Sequence, residues 1–249
     1  MTAGIRILLT GSTGQVGHAL LHSLREFGEV IAVTRAQMDL SRPDEISKVV
    51  QEIRPEIIIN PAAYTAVDQA ELESELAYQI NAIAPGVLAD NAKRLHIPLI
   101  HYSTDYVFDG EKRDQEGNLI AYDENDNCQP VSIYGKSKRS GELAIQASGC
   151  QHLILRTSWV YSDFGKNFLL TMLGLANQRE QLKVVNDQWG APTSAVWIAQ
   201  VTAQLLRQAM AQLLRQAMAS ATASATASAK VSAPSAWWQE NTGIIHTTP

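Results

Sequence analysis

The chain has 249 residues, of which 45% are hydrophobic and 18% charged, with a formal net charge of −5. That length holds one substantial domain or a large domain with a small annex, and an acidic balance without a long basic run argues against a nucleic-acid surface. No apolar stretch reaches bilayer length, no signal-peptide core precedes the first strand-like run, and Cys128 and Cys150 lack metal or CxxC spacing, so two reduced thiols in a cytoplasmic protein are expected.

In chain order, short apolar runs at residues 5–10, 30–34, 56–60, 99–103, 153–158 and 182–186 read as buried strands. Helix-period segments at 15–27, 42–53, 84–96, 134–147 and 168–177 alternate with them, and Ser41 with Asp44 three residues on predicts a capping box for the second helix. Such alternation predicts an α/β fold, a Rossmann-like doubly wound parallel sheet covered on both faces. Residues 109–129, polar and rich in Gly, Asp and Asn, read as a long surface loop.

Beyond residue 195 the pattern changes. The octapeptide AQLLRQAM of Ala203–Met210 recurs unaltered at Ala211–Met218, and SATASATASA follows at residues 220–229. An eight-residue step turns a helix by about 80° beyond two full turns, so the second copy cannot keep its leucines on the face used by the first. The expectation is a duplicated helix followed by a low-complexity flexible linker over 219–236. The chain then divides into a dinucleotide-binding part, 1–160, and a partial substrate lobe, 161–249.

The first predicted strand runs directly into Gly11-Ser12-Thr13-Gly14-Gln15-Val16-Gly17 and a helix start. In that context the first glycine permits a tight turn, the second lets backbone approach a pyrophosphate, and the third lets helix and strand pack closely. The helix N-terminus adds unpaired N–H groups and the positive end of its dipole. No acidic residue closes the second strand. Thr34 and Arg35 stand there instead; an Arg near this position suits a 2′-phosphate and equally a solvated surface, so NADPH or NADH is expected as cofactor.

Tyr134 and Lys138 form a YxxxK pair on a predicted helix, one turn apart on one face. A ketone reduced by hydride becomes an alkoxide that needs a proton. A free phenol titrates near ~10, and an ammonium beside it is expected to lower that value. Thr104 ends a predicted strand and brings a hydroxyl to the C-terminal edge of the sheet, where ligands of open α/β sheets bind. Together the three suggest a catalytic set for carbonyl reduction.

The motifs GSTGQVG, NPAAYTAVDQAE, HYSTDYVFDG, YGKSK, RTSWVY and VVNDQWGAPT resemble those of the extended short-chain dehydrogenase/reductase family, and within it the dTDP-4-dehydrorhamnose reductases, over about residues 5–199. The likeness implies Thr104, Tyr134 and Lys138 as catalytic residues, with NAD(P)H held by Gly11, Thr13, Gly14, Gln15, Val16, Gly17 and Arg35. Asp39 and Leu40 would contact the adenine, and Ala62, Ala63 and Tyr64 would line the cofactor. Val67, Asp68, Thr104, Asp105, Tyr106 and Trp159 would face the nucleotide-sugar substrate, with Asn167 a further candidate. It implies reduction of the C4 keto group of dTDP-4-dehydro-L-rhamnose, feeding cell-surface polysaccharide. Asp105-Tyr106 stands where related dehydratases carry Asp-Glu, so β-elimination lacks its base.

Where some relatives offer a metal-binding Glu, near Val196, this chain has an apolar residue, so no metal is expected, and a homodimer stays open. Family members continue beyond the stretch resembled by Gly243–His246, hence the expectation of a truncated substrate lobe. The fold also serves as a non-catalytic binding module in the regulatory subunit of methionine adenosyltransferase. That alternative would bind cofactor without turnover.

Overall fold

The computed structural model describes residues 4–223 and 236–248. Its centre is a six-stranded, all-parallel sheet in the order β2-β1-β3-β4-β5-β8. The strands are β1 (Ile5–Leu9), β2 (Gly28–Ala32), β3 (Ile57–Asn60), β4 (Leu99–Thr104), β5 (His152–Thr157) and β8 (Gly243–His246), and β6 (Val160–Tyr161) and β7 (Thr193–Ser194) pair separately. The helices are α1 (Gln15–Ser23), α2 (Pro43–Ile53), the short α3 (Val67–Ala70) and α4 (Ser74–Tyr78), α5 (Ala84–Leu95), α6 (Ile133–Ser148), α7 (Phe168–Ala176), α8 (Ala195–Ala223) and α9 (Ala236–Asn241). This is the Rossmann-like, doubly wound architecture that the strand–helix alternation predicts.

Strand alternation divides the core into two layers. Ile7, Leu9, Ile57, Ile59 and Tyr102 face α1, α8 and α9, where Leu20, Leu24, Ile198, Leu206, Trp237 and Trp238 meet them. Leu8, Ile58, Leu99 and Ile154 face the opposite side, against Ile46 of α2, Leu88 of α5 and Ile145 of α6. Each fully buried Leu or Ile contributes about 1.5–3 kcal/mol, which is why these runs hold both faces although all backbone pairing is long-range. The order reverses between β1 and β3. At such a switch point the loops leaving two adjacent strands diverge and open a crevice at the carboxyl ends.

Three sequence expectations are corrected. Residues 182–186 form no strand, since Val184 and Val185 are exposed and pair with nothing in the sheet, and the sixth strand is β8 instead. Apolar side chains alone do not make a strand without a neighbour to bond. Ser41 does not cap α2. Its N–H and hydroxyl both donate to Asp39 Oδ1, at 2.9 and 2.8 Å, and the helix begins after Arg42 with Pro43 in its first turn. The expected linker also begins late, because α8 continues through Ala223; residues 224–235 lie outside the described residues.

The duplication behaves as helix geometry requires. Ala203, Leu206 and Ala209 of the first copy are buried against α1, whereas Ala211, the second copy's counterpart of Ala203, is exposed. Together, α8, α9 and β8 complete the sheet and one of its helical faces. Among the described residues no helix is long and apolar enough to cross a membrane, and both cysteines are free.

Candidate active site

A cleft of about 640 Å³ opens at the β1–β3 switch point. Gly11, Thr13, Gly14, Gln15, Val16 and Gly17 form its floor at one end, with Arg35, Asp39 and Leu40 beyond them. Ala62, Ala63 and Tyr64 form a wall, and Tyr134 and Lys138 close the far end. Every residue expected to hold the cofactor thus lines one cavity.

The glycine turn is shaped by close approach. Gly11 has φ +56°, and a Cβ there would lie 2.8 Å from the Ala62 backbone; one on Gly17 would lie 2.1 Å from the Gly11 carbonyl oxygen. At Gly14 the added atom would meet only that same oxygen, at 3.4 Å. Gly14 is the N-cap of α1 and supplies no side-chain cap, so the first amides of the helix stay available to an anion in the cleft. These features fit a dinucleotide pyrophosphate. At the other end of the turn the exposed Arg35 guanidinium lies 3.4 Å from Asp39. The Ser41 backbone amide holds the Asp39 carboxyl below the usual carboxylate range against desolvation, with lesser help from the Ser41 hydroxyl and Arg35.

The far end is built by α6. Ser132 caps it by accepting from the Gly135 amide at 3.1 Å. Gly135 lets the helix start lie on the Tyr106 carbonyl, since a Cβ there would sit 2.2 Å from that oxygen. The contact sets Tyr134 edge-on to Tyr106, with ring centroids 5.5 Å apart. Tyr134 is half-buried. Desolvation of its hydroxyl pushes the phenol up to about 12; the nearby Thr104 hydroxyl opposes the rise, while Asp105 and Tyr106 add to it.

The expected electrostatic pairing therefore differs in this structure. Lys138 does not pull the phenol down. Its Nζ donates to the Tyr102 carbonyl at 2.7 Å and lies 3.3 Å from His101 Nε2. Desolvation brings this lysine down to about 8 against the opposing charge of Glu142. Burial outweighs the cation because Nζ is turned towards the strand beneath the helix.

Thr104 is likewise engaged locally: its hydroxyl donates to Asp105 Oδ1 at 3.0 Å and accepts from the Tyr106 amide at 3.2 Å. The second Asp105 oxygen takes the Ser158 hydroxyl. Thr104, Asp105, Tyr106, Val67, Asp68 and Trp159, the residues expected to face the substrate, all lie outside the cleft lining. Asp68 is exposed, near enough for its charge to act on the Tyr106 phenol. Trp159 is 44% exposed and adopts φ +42°, an uncommon conformation for a bulky residue. An atom added to Gly190 would fall 2.5 Å from its indole, so Gly190 lies directly on the ring.

Asn167 caps α7 by accepting from the Leu170 amide, and its own amide group donates to Gln15 Oε1 at 2.9 Å. It belongs to the glycine-turn end, not beside Tyr134. The sequence reading passed over several residues at the site. Lys166 lines the cleft one residue before Asn167. Asn81, buried in a π-helical turn before α5, receives the Tyr64 amide and donates to Ser137 on α6. His101 sits inside the HYSTDYVFDG motif, and a histidine on a fully buried strand is the available signal. Among the described residues no group of three or more His, Cys, Asp or Glu is placed to hold a metal ion.

Comparison with known proteins gives concordant results. Residues 5–233 match a family profile described as the RmlD substrate binding domain. A dTDP-4-dehydrorhamnose reductase of Burkholderia thailandensis is 47% identical over 195 residues, which is 78% of this chain and 63% of that protein. The Escherichia coli K12 protein of the same name is 46% identical over 199 residues, 78% of this chain and 64% of that one. The chain thus spans less than two thirds of these curated relatives. Among solved structures, a dTDP-4-dehydrorhamnose reductase from Clostridium acetobutylicum superposes with a TM-score of 0.79 at 34% identity, covering 98% of this chain and 74% of that one. The Bacillus anthracis enzyme in complex with NADP gives 0.76 at 40% identity, covering 82% and 71%.

Proposed function

Because this chain belongs to the RmlD substrate binding domain family, we propose that it reduces the C4 keto group of dTDP-4-dehydro-L-rhamnose to give dTDP-L-rhamnose, with NADPH or NADH as reductant. The observation that carries the reading is the placing of a protonated phenol, Tyr134, at one end of a cleft whose other end is an uncapped glycine turn. A phenol held at about 12 keeps its proton at neutral pH. Reduction, unlike oxidation, requires a proton donor at the start of the step.

The bound cofactor would supply a hydride, and the rest falls to this chain. The glycine turn and the first amides of α1 would hold the pyrophosphate, Arg35 a 2′-phosphate, and Asp39, Leu40 and Ala62 to Tyr64 the adenosine and ribose. Lys138 would fix the nicotinamide ribose. Thr104 would orient the carbonyl once its bond to Asp105 yields, and Tyr134 Oη would give its proton to the alkoxide oxygen. Val67, Asp68, Asp105, Tyr106 and the exposed indole of Trp159 would face the nucleotide sugar. The same reading takes the protein as cytoplasmic and without a metal, and leaves a homodimer open.

The test is oxidation of NADPH or NADH with the 4-keto sugar nucleotide, on the chain as given and on Tyr134→Phe. Loss of proton donation is expected to slow turnover about 10²–10⁴-fold with cofactor affinity unchanged. Equal turnover in the variant would defeat the role given to Tyr134. Tight cofactor binding without any turnover would favour a non-catalytic binding subunit.

A further inference from the structure

Residues 162–167, between β6 and α7, fold back onto the glycine turn. Asn167 holds one end of this segment. Its amide group donates to Gln15 Oε1 at 2.9 Å and to the Ser162 carbonyl at 2.8 Å, while its own Oδ1 accepts from the Leu170 amide. Within the segment the Ser162 hydroxyl donates to the Phe164 carbonyl at 2.6 Å and accepts from the Phe164 amide at 3.1 Å. The Phe164 ring stacks on His18 of α1, with centroids 3.9 Å apart and planes 8° from parallel. Gly165 follows with φ +78°, and a Cβ there would lie 3.5 Å from Gln15 Cγ. The chain therefore passes directly over the first residue of α1, in a conformation that glycine adopts without steric cost.

Lys166 comes next and lines the cleft. Among the described residues the charged groups of that lining are Arg35, Asp39, Lys138 and Lys166. Arg35 is tied to Asp39 and Lys138 to the Tyr102 carbonyl, whereas Lys166 has no ion-pair or hydrogen-bond partner among the described residues. A dinucleotide diphosphate brings about two negative charges to the glycine turn, and a helix N-terminus answers with roughly half a positive one. The turn alone leaves most of that charge unbalanced.

We infer that Lys166 is a binding residue for the cofactor diphosphate, held over the glycine turn by a strap, residues 162–167, that Asn167 and Phe164 pin to α1. The inference rests on the cofactor half of the reductase reading and adds the counter-charge that the turn lacks. Two cations then divide the cofactor between them. Arg35 answers the 2′-phosphate that only NADPH carries, and Lys166 answers the diphosphate common to NADPH and NADH. A lysine suits that place, as a compact charge on a flexible stem.

Cofactor affinity of the full chain, read by isothermal titration calorimetry, tests this apart from turnover. Lys166→Gln keeps the side-chain stem and removes the charge; at an exposed position it should leave thermal unfolding unchanged. It is expected to weaken NADH and NADPH alike, by about five- to tenfold at low salt and by less at high salt, with affinity restored in Lys166→Arg. Adenosine 2′-monophosphate, which has the 2′-phosphate but no diphosphate, should bind Lys166→Gln as it binds the wild type, whereas Arg35→Ala should weaken it. Asn167→Ser keeps an acceptor for the Leu170 amide but is too short to reach Gln15, and in that background Lys166→Gln is expected to cost less than about twofold. NADH and NADPH bound by Lys166→Gln as tightly as by the wild type would overturn the inference, and a rise confined to the KM for the sugar nucleotide would do so by assigning the lysine to substrate. An equal loss in both backgrounds would overturn the placing of Lys166 by the strap. A wild-type protein that binds neither cofactor overturns the reductase reading itself, an outcome distinct from binding that Lys166 does not affect.

Discussion

Replacing Glu142 by Gln tests the scaffold under the site. This carboxylate, on α6 one turn beyond Lys138, takes two bonds from Arg156 at 2.8 and 2.7 Å and a third from Arg139 at 2.7 Å. The Glu142 and Arg156 side chains are 0% and 3% exposed. A surface pair of this geometry would be worth about 0–1 kcal/mol, but removing one partner of a buried pair costs about 3–5 kcal/mol. Gln keeps one acceptor oxygen and turns an NH2 on the guanidinium, so the expected loss is about 3 kcal/mol, roughly a hundredfold in the folding equilibrium. Burial pushes the Glu142 carboxyl up, yet the hydrogen bonds and charge of Arg156, with Arg139, hold it below the usual carboxylate range. A lowered folded value means that the stabilisation is complete above the unfolded carboxylate pKa and is lost as pH falls through the folded one. Urea unfolding should therefore show a wild-type–variant gap that is constant at neutral pH and shrinks in acid. The double variant Glu142→Leu with Arg156→Met should lose less than the single one. A neutral-pH gap under about 1 kcal/mol, or a double variant worse than the single, would refute the reasoning.

Three further outcomes are expected. Arg35→Ala should weaken NADPH binding about tenfold or more while leaving NADH nearly unchanged, as measured by fluorescence titration of both cofactors. The same substitution made in the two repeat copies should diverge: Ala203→Gln, in the core, should cost about 2 kcal/mol or more, and Ala211→Gln, on the exposed face, within about 0.5 kcal/mol, both read from thermal unfolding. Gly190→Ala should displace the Trp159 ring, shifting indole fluorescence and raising KM for the nucleotide sugar more than it lowers Tm.

Local features were legible in the sequence and long-range ones were not. The glycine turn, the YGKSK helix start and the strand-end Thr104 are each fixed by a few consecutive residues, and the structure brings the cofactor candidates to one cleft. The capping expectation at Ser41 failed because Asp39, two residues earlier, competes for the same side chain. Residues 182–186 look like a strand in composition, but pairing partners are set by tertiary placement. The direction of Lys138 depends on residues 36 and 37 positions away in sequence, which no local pattern encodes. The contact of Gly190 with Trp159 is similarly invisible, since either residue alone reads as ordinary loop or core.

Hydride delivery to C4 of the sugar is most directly followed with the reduced nicotinamide carrying deuterium at its transferable position. Incubated with the 4-keto sugar nucleotide and this chain, it should yield a product with one deuterium on sugar C4, by mass spectrometry and proton NMR. Product without label at C4, or unchanged substrate beside tightly bound cofactor, would contradict the reductase assignment.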